Sequence, residues 1–407
     1  MNPDSTRHRN LLLQLFQTAL QAVEGRRVTR RWLEAHPPGT PLALVAIGKA
    51  AEQMAAGALE APSVEAAEGL VITRAGQTTG LLEGRREIRL LEADHPLPGE
   101  ASLAAGRALL QFLQRQPQER PLLFLISGGA SALVEVPEPG IGLELLGRVN
   151  RWLLGSGLDI AAMNAVRRRM SAIKGGKLLR WVDDRPAQVL LISDVRGDDP
   201  AIIGSGLLCP PREGTLPELP EWLAKALPPP TEVKFTPPPH HLVATLDQAL
   251  KAAARQAEEI GLQVHLDGRC LEGDARQAGE AFARHLLQAP PGLHLRGGET
   301  TVKLPEHPGR GGRNQHLALA AARIIEGRDD LLILAAGTDG SDGNTTDAGA
   351  LVDGGTIERA RLHGFDALRA LDRADSGTLL EASGDLVHTG PTGTNVTDLL
   401  MGLKLAR

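Results

Sequence analysis

Aromatic residues are scarce in this chain, with four Trp, six Phe and no Tyr among 407 positions. Stacking platforms for bases or sugar rings are therefore largely excluded. Two cysteines, Cys209 and Cys270, cannot build a disulfide framework or a multi-cysteine zinc site, which fits a reducing compartment. Positive charge is not in excess either: the formal net charge is −5, which argues against general nucleic-acid binding. No stretch holds the ~18 uninterrupted apolar residues that a membrane-spanning helix requires, so no membrane span is expected. A secretory leader is not expected. Arg7, His8 and Arg9 precede an apolar patch, but that patch is short and Gln14 interrupts it. Leu12, Leu15, Phe16, Ala19 and Val23 recur instead at helical spacing and predict an amphipathic helix over a core. The protein is placed in the cytoplasm.

Glycine is what the chain has in plenty, at 46 residues, well above the ~7% norm. The length suffices for two domains with full cores. Short aliphatic runs recur at Leu42–Ile47, Leu122–Ile126, Val189–Ile192 and Leu331–Leu334. Each ends in Gly, Ser or Asp and precedes a helical pattern. Such runs suit strands buried on both faces, and their alternation with helices predicts a parallel α/β architecture. Ligands in such sheets bind beyond the carboxyl ends of the strands. Prolines crowd between Pro210 and Pro239, which predicts a linker over 210–236 and a domain boundary at 236/237. A helix over 246–260, a short strand near Val264 and a helix over 274–287 are expected beyond it.

Several strand-end loops have the chemistry to hold anions or metal ions. Gly48-Lys49 places a cation at a helix start, where the helix dipole disfavours it unless an anion is bound. Ser127-Gly128-Gly129-Ala130-Ser131 lets backbone amides and two hydroxyls approach a phosphate or carboxylate. It lacks both the Gly-Lys-Ser/Thr ending of a P-loop and the dinucleotide fingerprint, so an oxidoreductase is disfavoured. The basic stretch Asn164–Lys177 predicts a mostly solvated face, with Lys174 beside Gly175-Gly176 as its best phosphate contact. Asp194 follows a strand in Ser193–Pro200, and Asp339 and Asp342 lie in Gly337–Gly343. Two carboxylates ~5 Å apart at an effective dielectric near 20 would repel by roughly 3 kcal/mol. Such groups either stay apart in water or share a cation, and hard oxygen ligands suit Mg²⁺. Gly297-Gly298-Glu299 and Gly309-Arg310-Gly311-Gly312-Arg313-Asn314 add two arginines suited to bidentate phosphate contacts, with Glu299 as a partner. Cationic loops, a Ser-Gly-Gly cradle and acidic strand ends together point to phosphoryl transfer.

The order of these motifs resembles the glycerate 2-kinases that carry a MOFRL domain. The resemblance runs through Val45–Ala51, Asp94-His95-Pro96-Leu97-Pro98-Gly99, Ile126–Leu133, Asn164–Lys177, Leu191–Pro200 and Gly297–Glu299. It continues through Gly309–Gln315, Gly337–Gly343 and Thr389–Val396. It implies a Rossmann-like amino-terminal domain (1–236), a smaller carboxyl-terminal α/β MOFRL domain (237–407), and an active site in the cleft joining them. It also implies phosphorylation of D-glycerate to 2-phosphoglycerate, with ATP and Mg²⁺. The family's catalytic lysine falls on Lys49 and its catalytic arginine on Arg313. Ser127, Gly128, Gly129 and Ser131 are expected to hold carboxylate or phosphate oxygens. Lys174, Gly298, Glu299, Arg310 and Asn314 are further expected contacts. Asp194 is expected as base or Mg²⁺ ligand, with Asp339 and Asp342 as alternative ligands. The chain departs from the family at Leu207-Leu208 and at Ala244-Thr245-Leu246. A related hydroxy acid as acceptor, transfer to carbon 3, and a non-catalytic sugar-phosphate-binding regulator remain alternatives, and a homo-oligomer is left open.

Overall fold

The computed structural model describes residues 3–158, 160–211, 216–231 and 233–406. The chain forms two compact units: Glu24–Thr245 with Gly393–Asn395, and Met1–Val23 with Leu246–Thr392 and Val396–Arg407.

The first, parallel unit is built on six strands: β1 (Leu42–Ile47), β2 (Ala66–Arg74), β3 (Ile88–Ala93), β4 (Leu122–Ile126), β5 (Ala187–Ile192) and β6 (His240–Ala244). Every residue of β1 and β4 is buried, as their unbroken aliphatic sequences predict for strands covered on both faces. The sheet order is β3-β2-β1-β4-β5-β6, and all neighbours are parallel. This is the doubly wound order, whose direction reverses at β1 and β4. The loops after β1 and β4 are therefore Gly48-Lys49 and Ser127-Gly128-Gly129, side by side at the switch point. Leu207 and Leu208, the first departure from the family pattern, are buried in this unit's core beside Val189 and Leu191.

The second, mixed unit carries β7 (Val264–Leu266), β8 (Gly292–Gly298), β9 (Leu331–Gly337), β10 (Gly349–Asp353), β11 (Leu386–Val387) and β12 (Asp398–Lys404). Their order is β11-β10-β9-β12-β8-β7. Only β7 and β8 are parallel; the remaining pairs are antiparallel. The expectation of parallel strands is thus corrected for Leu331–Leu334. Its connection to β10 contains no crossover helix, so the chain can only fold back on itself. The helices Leu246–Glu259 and Ala275–Gln288 match the expected spans within a residue, with the Asp274 carboxylate capping the second.

The units do not follow the expected division into 1–236 and 237–407. The strand β6 pairs with β5 and completes the parallel sheet, so the first unit runs on to Thr245. The amino-terminal helix Pro3–Ala22 is amphipathic as predicted, but it covers the other sheet. It packs on the helix Leu246–Glu259 and on β9 and β12. The Arg9 guanidinium fixes it there, pairing with Asp353 at 2.5 Å and Asp385 at 2.8 Å and donating to the Leu351 carbonyl. Within the proline-rich tract the described residues form one short helix, Glu221–Ala226; residues 212–215 and 232 lie outside the described residues.

Candidate functional site

In the parallel unit the two switch-point loops are laced together. The Lys49 amide donates to the Gly128 carbonyl at 2.9 Å, and the Ala50 amide donates to the Ser127 hydroxyl at 3.0 Å. Gly48 has φ +133°, and a Cβ there would meet the Ser127 hydroxyl oxygen at 2.1 Å, so only glycine permits this approach. Lys49 itself is half-buried at the start of the helix Ala51–Glu60, where its sequence position predicts it. Ser127 is fully buried. Its hydroxyl oxygen accepts the Ala50 amide and so positions the lysine loop.

Gly128 faces Asp194, which follows β5. A Cβ at Gly128 would lie 2.1 Å from the Asp194 Oδ2 and 2.4 Å from the Asn395 amide nitrogen. The Asn395 side chain reaches Asp194 at 3.4 Å. Asn395 belongs to the short tail segment that completes this unit, and sequence reasoning reached it only as part of the Thr389–Val396 motif. Gly129 adopts a left-handed φ of 86°, and a Cβ there would lie 3.2 Å from the His95 ring and 3.3 Å from the Lys49 side chain. The Ser131 hydroxyl pairs with that of Ser205 at 2.7 Å.

A cavity opens beside this turn, lined by His95, Gly129, Ser131, Asn150, Arg167 and Lys174, with Leu146, Val149 and Met170 as its apolar wall. Lys174 does not offer its charge as expected. Its ammonium pairs with Glu135 at 2.5 Å, and both side chains are nearly inaccessible, at 2% and 3%. Most of the basic run turns inward rather than to solvent. Residues 171–179 are all buried, Lys177 pairs with Glu138 at 2.7 Å, and Arg169 bonds the Pro228 carbonyl. Burial pushes the Lys177 ammonium down from its ordinary value, against the pull of Glu138.

In the mixed unit the register sets Asp398, first residue of β12, opposite Gly298 on one side and Gly337 on the other. The strand ends thereby place a buried carboxylate facing Arg313, at the start of the helix Arg313–Ile324. Arg313 binds Asp398 through two nitrogens, at 2.6 and 3.1 Å, and pairs with Glu299 through a third. Burial opposes the arginine's charge, but Asp398 and Glu299 outweigh it and raise its pKa further. The expected partnership with Glu299 is present.

Asp342 has a different task from the metal ligation expected of it. It is fully buried, and its two oxygens accept the amides of Asn314 and Gln315 at 3.1 and 2.8 Å. It caps the helix that carries Arg313, where the helix residue before it, Gly312, has no side chain to do so. A Cβ at Gly312 would lie 2.3 Å from the Asp342 carboxyl carbon. Burial pushes the Asp342 pKa up to about 7, against the opposing amide bonds. Asn314 joins the same cap through its backbone amide and its side-chain amide nitrogen. Asp339 holds the amide and hydroxyl of Ser341 at 3.0 and 3.1 Å. Arg310 turns to Asp347 and Glu381, away from the acids that hold Arg313. Gly298 is needed for chain crossing: φ is +144°, and a Cβ would meet the Leu271 carbonyl oxygen at 2.2 Å.

Among the described residues no group of three or more His, Cys, Asp or Glu side chains could hold a metal ion. With Asp342 committed to the helix end, a metal cage built from protein carboxylates does not fit. Among the described residues no helix is long and apolar enough to cross a membrane.

Two family models match the chain. A domain of unknown function, DUF4147, matches residues 11–224, and the MOFRL family matches residues 292–398. The chain is 35% identical to D-glycerate 2-kinase of Thermotoga maritima over 88% of its own length and 90% of that protein's. A relative from Agrobacterium vitis, 37% identical over 96% of this chain and 93% of its own, carries instead a provisional hydroxypyruvate reductase name. The crystal structure of a glycerate kinase from Thermotoga maritima superposes with a TM-score of 0.85 at 32% identity, covering 98% of this chain and all of the other.

Proposed function

The chain belongs to the glycerate 2-kinase family that joins a DUF4147 region to a MOFRL domain, and from that premise we propose that it transfers the terminal phosphoryl group of ATP directly to D-glycerate, giving 2-phospho-D-glycerate. The observation that carries this reading is the cationic Lys49 loop, held on the Ser-Gly-Gly turn at the switch point of a doubly wound sheet. In such sheets that crevice is where ligands bind. The turn lacks the dinucleotide fingerprint, which favours phosphoryl transfer over hydride transfer.

Phosphoryl transfer needs positioning and charge neutralisation more than covalent help. Lys49 and Arg313 supply the cations that stabilise charge on the transferring group. Arg313 keeps its charge and its orientation through Asp398 and Glu299. Asp194, set after β5 against Gly128, accepts the proton of the acceptor hydroxyl. Mg²⁺ enters as part of the Mg·ATP substrate, with its coordination supplied chiefly by phosphate oxygens and water. The cytoplasm is the proposed location, since two cysteines in 407 residues supply no disulfide framework.

Thermal-shift measurements with Mg·ATP and D-glycerate, separately and together, followed by a coupled assay for ADP, test this reading. Stabilisation by both ligands and ADP release that depends on D-glycerate are expected. Stabilisation by phosphosugars with no ADP release would identify a binding regulator. Oxidation of NADH or NADPH by hydroxypyruvate would identify a reductase.

A further inference from the structure

The cavity beside the Ser-Gly-Gly turn holds two cationic side chains in unequal circumstances. Lys174 is neutralised by Glu135, whose other oxygen accepts the Val136 amide. Arg167, half-buried on the helix Ile160–Met170, has only neutral partners. Its Nε donates to the Asn150 Oδ1 at 3.3 Å and its Nη1 to the Asn164 Oδ1 at 3.5 Å. Among the described residues no carboxylate pairs with it. Desolvation pulls its pKa down with no acid to offset the effect, unlike Arg313. A guanidinium does not lose its proton at physiological pH, so the cavity keeps a net positive charge. Burying a charge without a counter-charge is costly, and a small anion in the cavity would remove that cost.

The rest of the lining narrows the choice of anion. Leu146, Val149 and Met170 form an apolar wall, which leaves little to recognise a polyol or a sugar. On the other side are Gly129, the Ser131 hydroxyl and His95, and a Cβ at Gly129 would lie 3.3 Å from the Lys49 side chain. A short acid could thus place a charged end on Arg167 and a hydroxyl toward the turn. We infer that this cavity is the acceptor pocket, and that Arg167 binds the carboxylate of a small 2-hydroxy acid and so selects acids over neutral polyols. The inference rests on the kinase reading above and deepens it. Arg167 contacts substrate away from the reacting atoms, so its loss acts on acceptor binding rather than on the nucleotide.

Steady-state kinetics of the full-length protein and its Arg167→Gln and Arg167→Lys variants test this, with D-glycerate, glycerol and ATP varied in turn. Losing a charge-assisted bond is expected to raise KM for D-glycerate on the order of 10–100-fold. KM for ATP stays within about twofold, and the preference for D-glycerate over glycerol falls by the same factor as KM rises. Arg167→Lys recovers part of the loss. Asn150→Ala, which removes the group orienting Nε, raises KM for D-glycerate several-fold and serves if Arg167→Gln does not fold. An unchanged KM for D-glycerate in the folded variants overturns the inference, as does an increase confined to ATP. No turnover by the unaltered protein would refute the kinase reading. In that event, calorimetric D-glycerate binding that Arg167→Gln abolishes still upholds the pocket, and its absence from the unaltered protein overturns it.

Discussion

The Ser127 hydroxyl accepts the Ala50 amide at 3.0 Å, so a side chain on the loop after β4 fixes the helix start that carries Lys49. Ser127→Ala leaves that buried amide without an acceptor. The expected loss is about 1–3 kcal/mol of stability. We also expect a larger fall in kcat than rise in KM, because the lysine loop loses its support. Urea melts and steady-state kinetics on one preparation check both; unchanged kcat with lowered stability would limit Ser127 to a structural role.

Lys49→Met and Arg313→Lys each test a cation that the proposed mechanism assigns to the transferring group. Losing one such stabilising group commonly costs ~10²-fold or more in kcat. Arg313→Lys is preferred to alanine because a truncation would leave Asp398 buried without a cation. A double variant no slower than the slower single one is expected if both residues serve one step. Full activity of both single variants would remove them from the mechanism.

Asp342 ties stability to pH in a direction unusual for a carboxylate. Its pKa in the folded protein is about 7, above the ordinary value near 4, so the folded state holds a proton that the unfolded state has released across this window. Its contribution to stability therefore falls as pH rises from about 4 to about 7. Asp342→Asn, which resembles the protonated acid, is expected to flatten this part of the profile. The same variant leaves the Mg²⁺ requirement of the reaction unchanged. A raised Mg²⁺ requirement would return Asp342 to the metal site.

Arg9 joins the amino-terminal helix to Asp353 and Asp385, the latter's side chain only 1% exposed. Removing one partner of a buried charge cluster typically costs ~3–5 kcal/mol. Arg359 also holds both aspartates, which places Arg9→Ala near the lower end. Hydrogen exchange is expected to rise in β10 and β11 and to stay unchanged in β1 and β4. Loosened exchange in the parallel sheet would contradict the assignment of this helix to the mixed unit.

The aliphatic strands of the parallel unit were legible because burial on both faces leaves an unbroken apolar run, as in Leu42–Ile47 and Leu122–Ile126. The glycines at their ends marked the loops for the same local reason. What pairing decides was not legible. Lys174 looks like a phosphate ligand until Glu135 is found beside it, and Asp342 looks like a metal ligand until the helix start at Arg313 is seen to lean on it. Arg167 was hidden within a run of three arginines, since only the packing of their helix distinguishes the one that lines a cavity. The amino-terminal helix shows its apolar stripe in sequence but not which sheet the stripe covers.

The most direct measurement incubates the protein with Mg·ATP and D-glycerate and follows the product by proton–phosphorus correlated NMR. The account predicts a phosphate ester coupled to the single proton on carbon 2, formed at the rate ADP appears. Coupling to the two protons on carbon 3 would contradict the proposed position of transfer. No D-glycerate-dependent ester at all would contradict the kinase assignment itself.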